Sequence, residues 1–122
     1  MTPQAKQLIE QFRADRERAQ KALDALERIV LGDGWIVRCA SIYLRFDIQD
    51  MTATNPRHCG SPVNATRFTE RDAKHVATGV HNAGGDQGQA LHVNEALRDY
   101  IAERSSLIQF IEDAQAKTDN QP

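Results

Sequence analysis

The first thirty residues carry apolar side chains along one face of a single long helix. The apolar positions recur at intervals of three, four and seven, with one slot filled by Asp15, which is typical of a heptad seam. Thr2 is suited to cap such a helix, Pro3 fits its first turn, and Gly32 is placed to end it. We therefore predict a helix over residues 1–31, roughly 43 Å long. Its seam consists of Ala5, Leu8, Phe12, Ala19, Ala22, Leu26 and Ile29.

Residues 35–47 are rich in β-branched and aromatic side chains, and both alternating faces carry apolar groups. This pattern predicts one strand, or a hairpin kinked near Ala40 and Ser41, that is covered on one side and partly covered on the other. Residues 48–65 contain an Asn-Pro pair, Gly60 and a Ser-Pro pair, so we predict a long loop there.

The second half of the chain predicts short elements followed by a long closing helix. Thr69 has the character of an N-cap, with Asp72 three positions later and Phe68 placed to staple against Ala73. In order, we expect a short strand at 65–68, a helix from Glu70 to Thr78, a flexible turn region at 79–88, a short strand at 90–93, a helix capped by Asn94 that ends near Lys117, and a frayed tail at 118–122.

The closing helix also has a heptad seam, and its one charged slot is Arg104. Because an unpaired buried charge is costly, we predict that Arg104 and Asp15 meet across the two long helices, within one chain or between two. The alternative, that both slots lie at solvent-exposed edges of the seams, stays open. The apolar positions of this seam are Val93, Leu97, Tyr100, Leu107, Ile111 and Ala114.

Composition limits the class of protein. The chain has 122 residues, 15 Lys and Arg against 17 Asp and Glu, and 6% aromatic residues. These values predict one α+β domain with a thin core, which a second chain would help to cover. The near-neutral charge argues against general nucleic-acid binding and against binding to anionic membranes. No apolar stretch has the length of a membrane span or the character of a signal peptide, and two cysteines make no disulfide framework, so we expect a cytoplasmic protein with reduced thiols.

Motifs for catalysis are weak. The histidines and cysteines do not show the spacing of a zinc site, and Cys59 lies directly after His58, where adjacent side chains point apart. We therefore expect a protein that is not an enzyme and has no metal or cofactor. A small hydrolase that uses Cys59 or the histidines is the least favoured alternative.

Cationic residues gather between residues 57 and 75, where Arg57, Arg67 and Arg71 accompany Lys74 and two histidines. Arg67 and Phe68 directly precede a predicted helix N-terminus, whose backbone N–H groups and dipole favour an anion. Arginine can bind phosphate through two hydrogen bonds, and an aromatic ring can stack on a base. The alternative is a solvated helix face with Phe68 in the core.

The order of elements, the segment from Ala65 to Ala73 (ATRFTERDA) and the later Asn82 and Arg98 together resemble the phage Thoeris anti-defence sponges of the first type. The resemblance implies an oligomer that sequesters cyclic ADP-ribose isomers or cyclic oligonucleotides without chemistry, in the cytoplasm of the host bacterium. It also implies that aromatic, Asn and Arg side chains hold the adenine and the pyrophosphate. The matching residues are Phe68, Asn82, Arg98 and Arg104, with Arg57 from the predicted loop.

We therefore predict a homo-oligomer, dimeric or larger, that binds a small phosphorylated nucleotide. Arg57, Arg67 and Arg98 would contact phosphates, and Phe68 would stack on the base. The alternative is a protein–protein inhibitor or adaptor, with a host protein as partner, that acts through the helical seams or through residues 48–65.

Overall fold

The computed structural model describes residues 2–27, 34–50 and 52–119, and within them the chain has the predicted α+β architecture. The antiparallel sheet has four strands in the order β3-β2-β1-β4. The helices are α1 (Pro3–Glu27), α2 (Glu70–Thr78) and α3 (Val93–Asp119), the strands are β1 (Trp35–Cys39), β2 (Ile42–Gln49), β3 (Thr52–His58) and β4 (Gly88–His92), and a short 3₁₀ helix spans Pro62–Asn64. None of the helices in these ranges is both long and apolar enough to cross a membrane.

The sheet has a separate apolar core on each face, because successive strand residues point to opposite sides. On one face, side chains from the sheet pack against α1 and α3. On the other face they pack against α2 and Phe68. The first core contains Ala19, Leu23, Ile36, Tyr43, Leu91, Val93, Ala96, Leu97 and Tyr100, and the second contains Val37, Cys39, Leu44, Phe46, Phe68, Ala73 and Ala77.

The hairpin expected within residues 35–47 is present, and Ala40 turns it with a positive φ of 54°. The two strands pair close to the turn and then separate, and the segment 65–68 fills the gap. Phe68 exchanges two backbone hydrogen bonds with Trp35, at 3.0 and 2.7 Å, while the Thr66 N–H donates to the Leu44 carbonyl. The predicted strand at 65–68 is therefore an isolated bridge that joins β1 to β2.

The prediction of a long loop over 48–65 is wrong. Strand β2 continues to Gln49, and β3 and the 3₁₀ helix occupy most of the remainder. Strand β3 lies at an edge of the sheet and is almost wholly exposed, so it shows no alternation of apolar and polar residues. Pro56 and the positive φ of Asn55 (56°) are features that an edge strand tolerates beside an irregular register.

Helix α2 has the predicted bounds and the predicted cap. The Thr69 hydroxyl accepts a hydrogen bond from the Asp72 N–H at 3.2 Å, and Ala73 and Ala77 are buried against the sheet. Phe68 lies in the same core as Ala73, as a residue that staples the start of the helix would.

Helix α3, in contrast, is not capped by Asn94. The helix begins one residue earlier, and the Asn94 N–H donates to Nδ1 of His92 at 3.1 Å, while the side-chain oxygen of Asn94 is buried without a hydrogen-bond partner. The imidazole of His92 thus occupies the role of the N-cap acceptor, and its ring also packs edge-on against Trp35. Gly34 makes room for this ring, since a Cβ there would lie 2.9 Å from its Nε2.

The two long helices lie antiparallel, as the contacts of Thr2 with Gln115 and of Arg16 with Ser105 show. Near the N-terminus of α1 and the C-terminus of α3, the buried positions lie one residue after the predicted ones: Ile9 and Ile108 are buried, whereas Leu8 is 45% exposed. Leu107 is only half-buried, and Ala114 is exposed. An α-helix has 3.6 residues per turn, so a strict heptad drifts around its surface unless the helices supercoil.

Parts of the predicted helix ends cannot be compared with the structure. The side chain of Leu26 and residues 28–33, which include Ile29 and Gly32, lie outside the described residues. The predicted frayed tail at 118–122 is helical as far as Asp119, and residues 120–122 lie outside the described part.

Asp15 and Arg104 meet within the chain. The Arg104 Nε lies 3.4 Å from a carboxylate oxygen of Asp15, and the two side chains are only 18% and 15% exposed. The guanidinium also lies over the rings of Tyr100 and Phe12, at 4.5 and 5.3 Å from their centroids. The predicted pairing of Asp15 with Arg104 is therefore confirmed within one chain, and these two charges do not by themselves require a second chain.

Exchanging the charges of this pair tests its contribution to stability. We expect Asp15→Arg and Arg104→Asp each to lower the free energy of unfolding by roughly 1–2 kcal/mol, between the values for exposed and buried pairs. The double exchange should recover part of that loss, as measured by urea denaturation. A double variant no more stable than the weaker single variant would show that the charges do not interact.

The cap of α3 is tested by a pair of alanine variants. His92→Ala should lower the free energy of unfolding by about 1 kcal/mol, the usual value of an N-cap, while Asn94→Ala should change it little because no hydrogen bond is lost. His92→Asn, which keeps an acceptor, should be more stable than His92→Ala. Equal losses at positions 92 and 94 in thermal and urea unfolding would contradict this assignment.

Candidate functional site

An open groove of about 620 Å³ lies between α2 and the outer half of the sheet. Phe46, Ile48 and Ala53 form its floor on β2 and β3, and Val76 contributes from α2. Ile48 is 56% exposed, which is unusual for a large aliphatic side chain of a sheet with a core on both faces. The volume lies in the range of small-molecule sites.

The groove exists because α2 covers only part of the sheet. This helix packs mainly over β1 and β4, where Val37 and Cys39 meet Ala73 and Ala77. The face of β2 and β3 beyond Phe46 has no helix above it. The apolar lining is therefore built into the fold and does not require a side chain to move.

Polar groups line the rim of the groove. Arg67, Asp72 and His75 all reach it and are exposed, and Thr69 lies between them at the start of α2. The guanidinium of Arg67 has no hydrogen-bond or ion-pair partner among the residues that the structure describes. The rim thus has one available permanent positive charge and one negative charge close to an apolar floor.

The N-terminus of α2 is less favourable to an anion than its sequence suggested. Glu70 and Asp72 both lie in its first turn, and the Thr69 hydroxyl already accepts the Asp72 N–H. Their carboxylates offset the positive end of the helix dipole. An anion in the groove would therefore depend on Arg67 more than on the helix terminus.

Of the predicted site residues, only Arg67 and Phe68 line the same cavity. Phe68 is 9% exposed, and its ring packs edge-to-face with Phe46 at a centroid distance of 5.8 Å. It contributes to the apolar wall of the groove and offers little free surface for stacking. A ligand in the groove would instead contact Ile48 and Val76, neither of which was predicted as a site residue.

The other predicted residues lie elsewhere. Arg57, on β3, contacts Asp47 of the neighbouring strand at 2.5 Å. Asn82 closes the turn after α2, where its side chain accepts from the Asp86 N–H at 2.8 Å and donates to the Asp86 carboxylate at 3.0 Å. Arg98 is an exposed residue of α3. None of these three side chains lines the groove.

Arg104 belongs to a second, smaller cavity of about 150 Å³ between β2 and α3. Tyr43, His58, Tyr100 and Glu103 line it together with the arginine. Burial raises the pKa of the Tyr43 phenol, while a hydrogen bond to Arg38 and the charge of that residue act in the opposite direction. Charges of both signs are already paired here, since Arg104 contacts Glu103 as well as Asp15.

Cys59 does not have the surroundings of an activated nucleophile. Its thiol donates to the backbone carbonyls of Tyr43 and Ser61, at 3.4 and 3.3 Å. Burial raises the pKa of this thiol, and the opposing effects of the Ser61 hydrogen bond and of the Arg45 charge do not cancel it. Within the described ranges, no three His, Cys, Asp or Glu residues are grouped so that they could hold a metal ion, and both cysteines are free thiols.

Comparison with known proteins assigns no family: no protein-family model, curated protein or solved structure matches this chain. The groove and the residues that line it are therefore the features of the molecule that bear on its function.

Alkylation measures the state of Cys59. Because burial raises its pKa, less thiolate is present at neutral pH, and iodoacetamide should modify Cys59 more slowly than it modifies a small free thiol. The rate should rise at a higher pH than for the free thiol, as followed by peptide mass spectrometry. The same protein in urea is the control and should react at the ordinary rate. If the alkylation rate of Cys59 in the folded protein rose at the same pH as for the free thiol, or at a lower one, Cys59 would be a candidate nucleophile after all.

Proposed function

We propose that this protein is a non-enzymatic binding protein that holds a small phosphorylated nucleotide in the groove between α2 and strands β2 and β3. The observation that supports it is the combination, in one open cavity of about 620 Å³, of an apolar floor and an available guanidinium at Arg67. Such sites bury the flat part of a ligand against apolar side chains and orient it with a few polar groups.

The charges at the rim indicate which nucleotides to test first. One guanidinium faces a groove that Asp72 also lines, so a ligand with a single negative charge meets less repulsion than a di- or triphosphate. A cyclic phosphodiester carries one charge per phosphate, so a cyclic nucleotide with one phosphate fits this requirement. His75 and Thr69 are placed at the same rim and can hydrogen-bond to ligand hydroxyl or amino groups.

Binding without turnover would give the protein its effect. A protein that holds a cyclic nucleotide lowers the concentration of that signal in the cell, which is how the resemblance to anti-defence sponges would apply to it. This proposal retains Arg67 and Phe68 from the predicted set as groove residues and assigns Arg57 and Arg104 to ion pairs that stabilise the fold.

A ligand panel tests the proposal. Cyclic mononucleotides, cyclic dinucleotides and ADP-ribose isomers should be compared by thermal shift, and a ligand that binds only the folded state raises the melting temperature. For the ligand that does so, Arg67→Ala should weaken binding roughly ten- to hundredfold by calorimetry, because a hydrogen bond to a charged group contributes about 1.5–3 kcal/mol.

Arg71→Ala is the matched control. Arg71 is an exposed residue of α2 that does not line the groove, so this variant removes the same charge nearby and should keep the affinity within about threefold, since surface electrostatics contribute less than about 1 kcal/mol. Equal losses in the two variants would contradict a site at Arg67. A flat response across the panel at saturating ligand, together with stoichiometric recovery of a host protein, would favour the inhibitor or adaptor alternative.

A further inference from the structure

The free ends of α1 and α3 extend past the sheet, and one side of this helical pair is apolar. We call this side the overhang strip; it consists of Leu8, Phe12, Leu107, Phe110 and Ile111. The ion pair of Asp15 with Arg104 marks the same side of the helical pair, whereas the contacts of Arg13 with Glu112 and of Arg16 with Ser105 mark the opposite side. Leu8 lies seven residues before Asp15, and Ile111 lies seven residues after Arg104, so both continue that side along the helices.

Exposure of the overhang strip is high for apolar residues. Phe110 is 72% exposed and Leu8 is 45% exposed, and these are two of the three large apolar residues with exposed side chains in the described ranges. Phe12, Leu107 and Ile111 are half-buried. Near Arg104 the same side of the helices faces the sheet, where Tyr43 and His58 line the small cavity with it. Beyond that point the apolar pattern continues, but the sheet does not.

The charges around the overhang strip favour a second copy of the chain as its partner. On α1 its neighbours on the same side, Gln4 and Gln11, are exposed and uncharged, and Asp15 at its inner end is already paired with Arg18 and Arg104. On α3 the exposed charges Glu103 and Lys117 lie seven residues before and after Phe110, and therefore on the same side of the helix. Only a residue on a two-fold axis meets its own copy, and other residues meet in reciprocal pairs, so an axis at Phe110 with antiparallel α3 helices brings Glu103 of each copy to Lys117 of the other. An apolar surface with opposite charges on either side of its centre is therefore complementary to a second copy of itself.

We propose that two copies of this chain pack their overhang strips against each other about a two-fold axis, with Phe110 at the centre of the contact. Two antiparallel helical pairs then form a four-helix arrangement, in which each strip covers the other as the sheet covers the inner parts of the helices. The contact does not involve the groove at α2. The proposal therefore stands or fails independently of nucleotide binding.

Mass measurement by sedimentation or light scattering over a concentration series tests the dimer. The full chain should have twice its 13.7 kDa mass, and Phe110→Glu and Leu8→Glu should each shift the protein to the mass of one chain at the same concentration. Because both side chains are exposed, the variants should keep the helical circular dichroism of the parent. Ala102→Glu is the matched control, since Ala102 is an exposed residue of α3 outside the overhang strip, and it should remain dimeric.

Two results would overturn the proposal. One is a parent protein that has the mass of a single chain at every concentration. This result would contradict the dimer even if the overhang strip binds a different protein. The other is an oligomer that persists in folded Phe110→Glu and Leu8→Glu, which would place the contact on another surface.

Discussion

The dimensions of the helices and of the sheet do not match, and this mismatch determines where the molecule has free surface. A helix is about 10 Å wide and neighbouring strands are about 4.8 Å apart, so one helix covers about two strands. Helices α1 and α3 together can cover one face of the four-stranded sheet. Helix α2 alone, on the other face, covers β1 and β4, and it leaves β3 and the part of β2 beyond Phe46 open. The groove is the consequence.

The same mismatch applies along the helices. Helices of 25 and 27 residues are about 40 Å long, whereas strands of five to eight residues span at most about 27 Å. The long helices must therefore extend past the sheet, and the apolar side that packs on the sheet near Tyr100 continues without cover toward Phe110. Both candidate binding surfaces thus follow from how many elements the chain has and how long they are.

Local signals in the sequence were sufficient for much of the fold. Thr69 and Asp72 define the start of α2 by themselves, because a cap needs only a side-chain oxygen and a backbone N–H three residues later. The ion pair of Asp15 with Arg104 could be predicted because each residue is the one charged position in an otherwise apolar seam. Edge strand β3 could not be recognised, since it is exposed on both sides and its residues carry no apolar alternation. His92 displaced Asn94 as the cap because its ring is held between Trp35 and Gly34, which only the folded sheet brings together.

The candidate site was harder to predict than the fold, because charges that are neighbours in sequence find different partners in space. Arg57 forms an ion pair with Asp47 on the adjacent strand, and Arg104 reaches Asp15 from the other helix, so both cations are neutralised locally. Arg67 lies in the segment 65–68, which joins β1 to β2, and it reaches the groove with no carboxylate bound to it. Asp72 lines the same groove, so a ligand with several phosphates would place its additional charges near a carboxylate without a second guanidinium. Under the proposed function, this balance of charge restricts the ligand more strongly than the volume of the groove does.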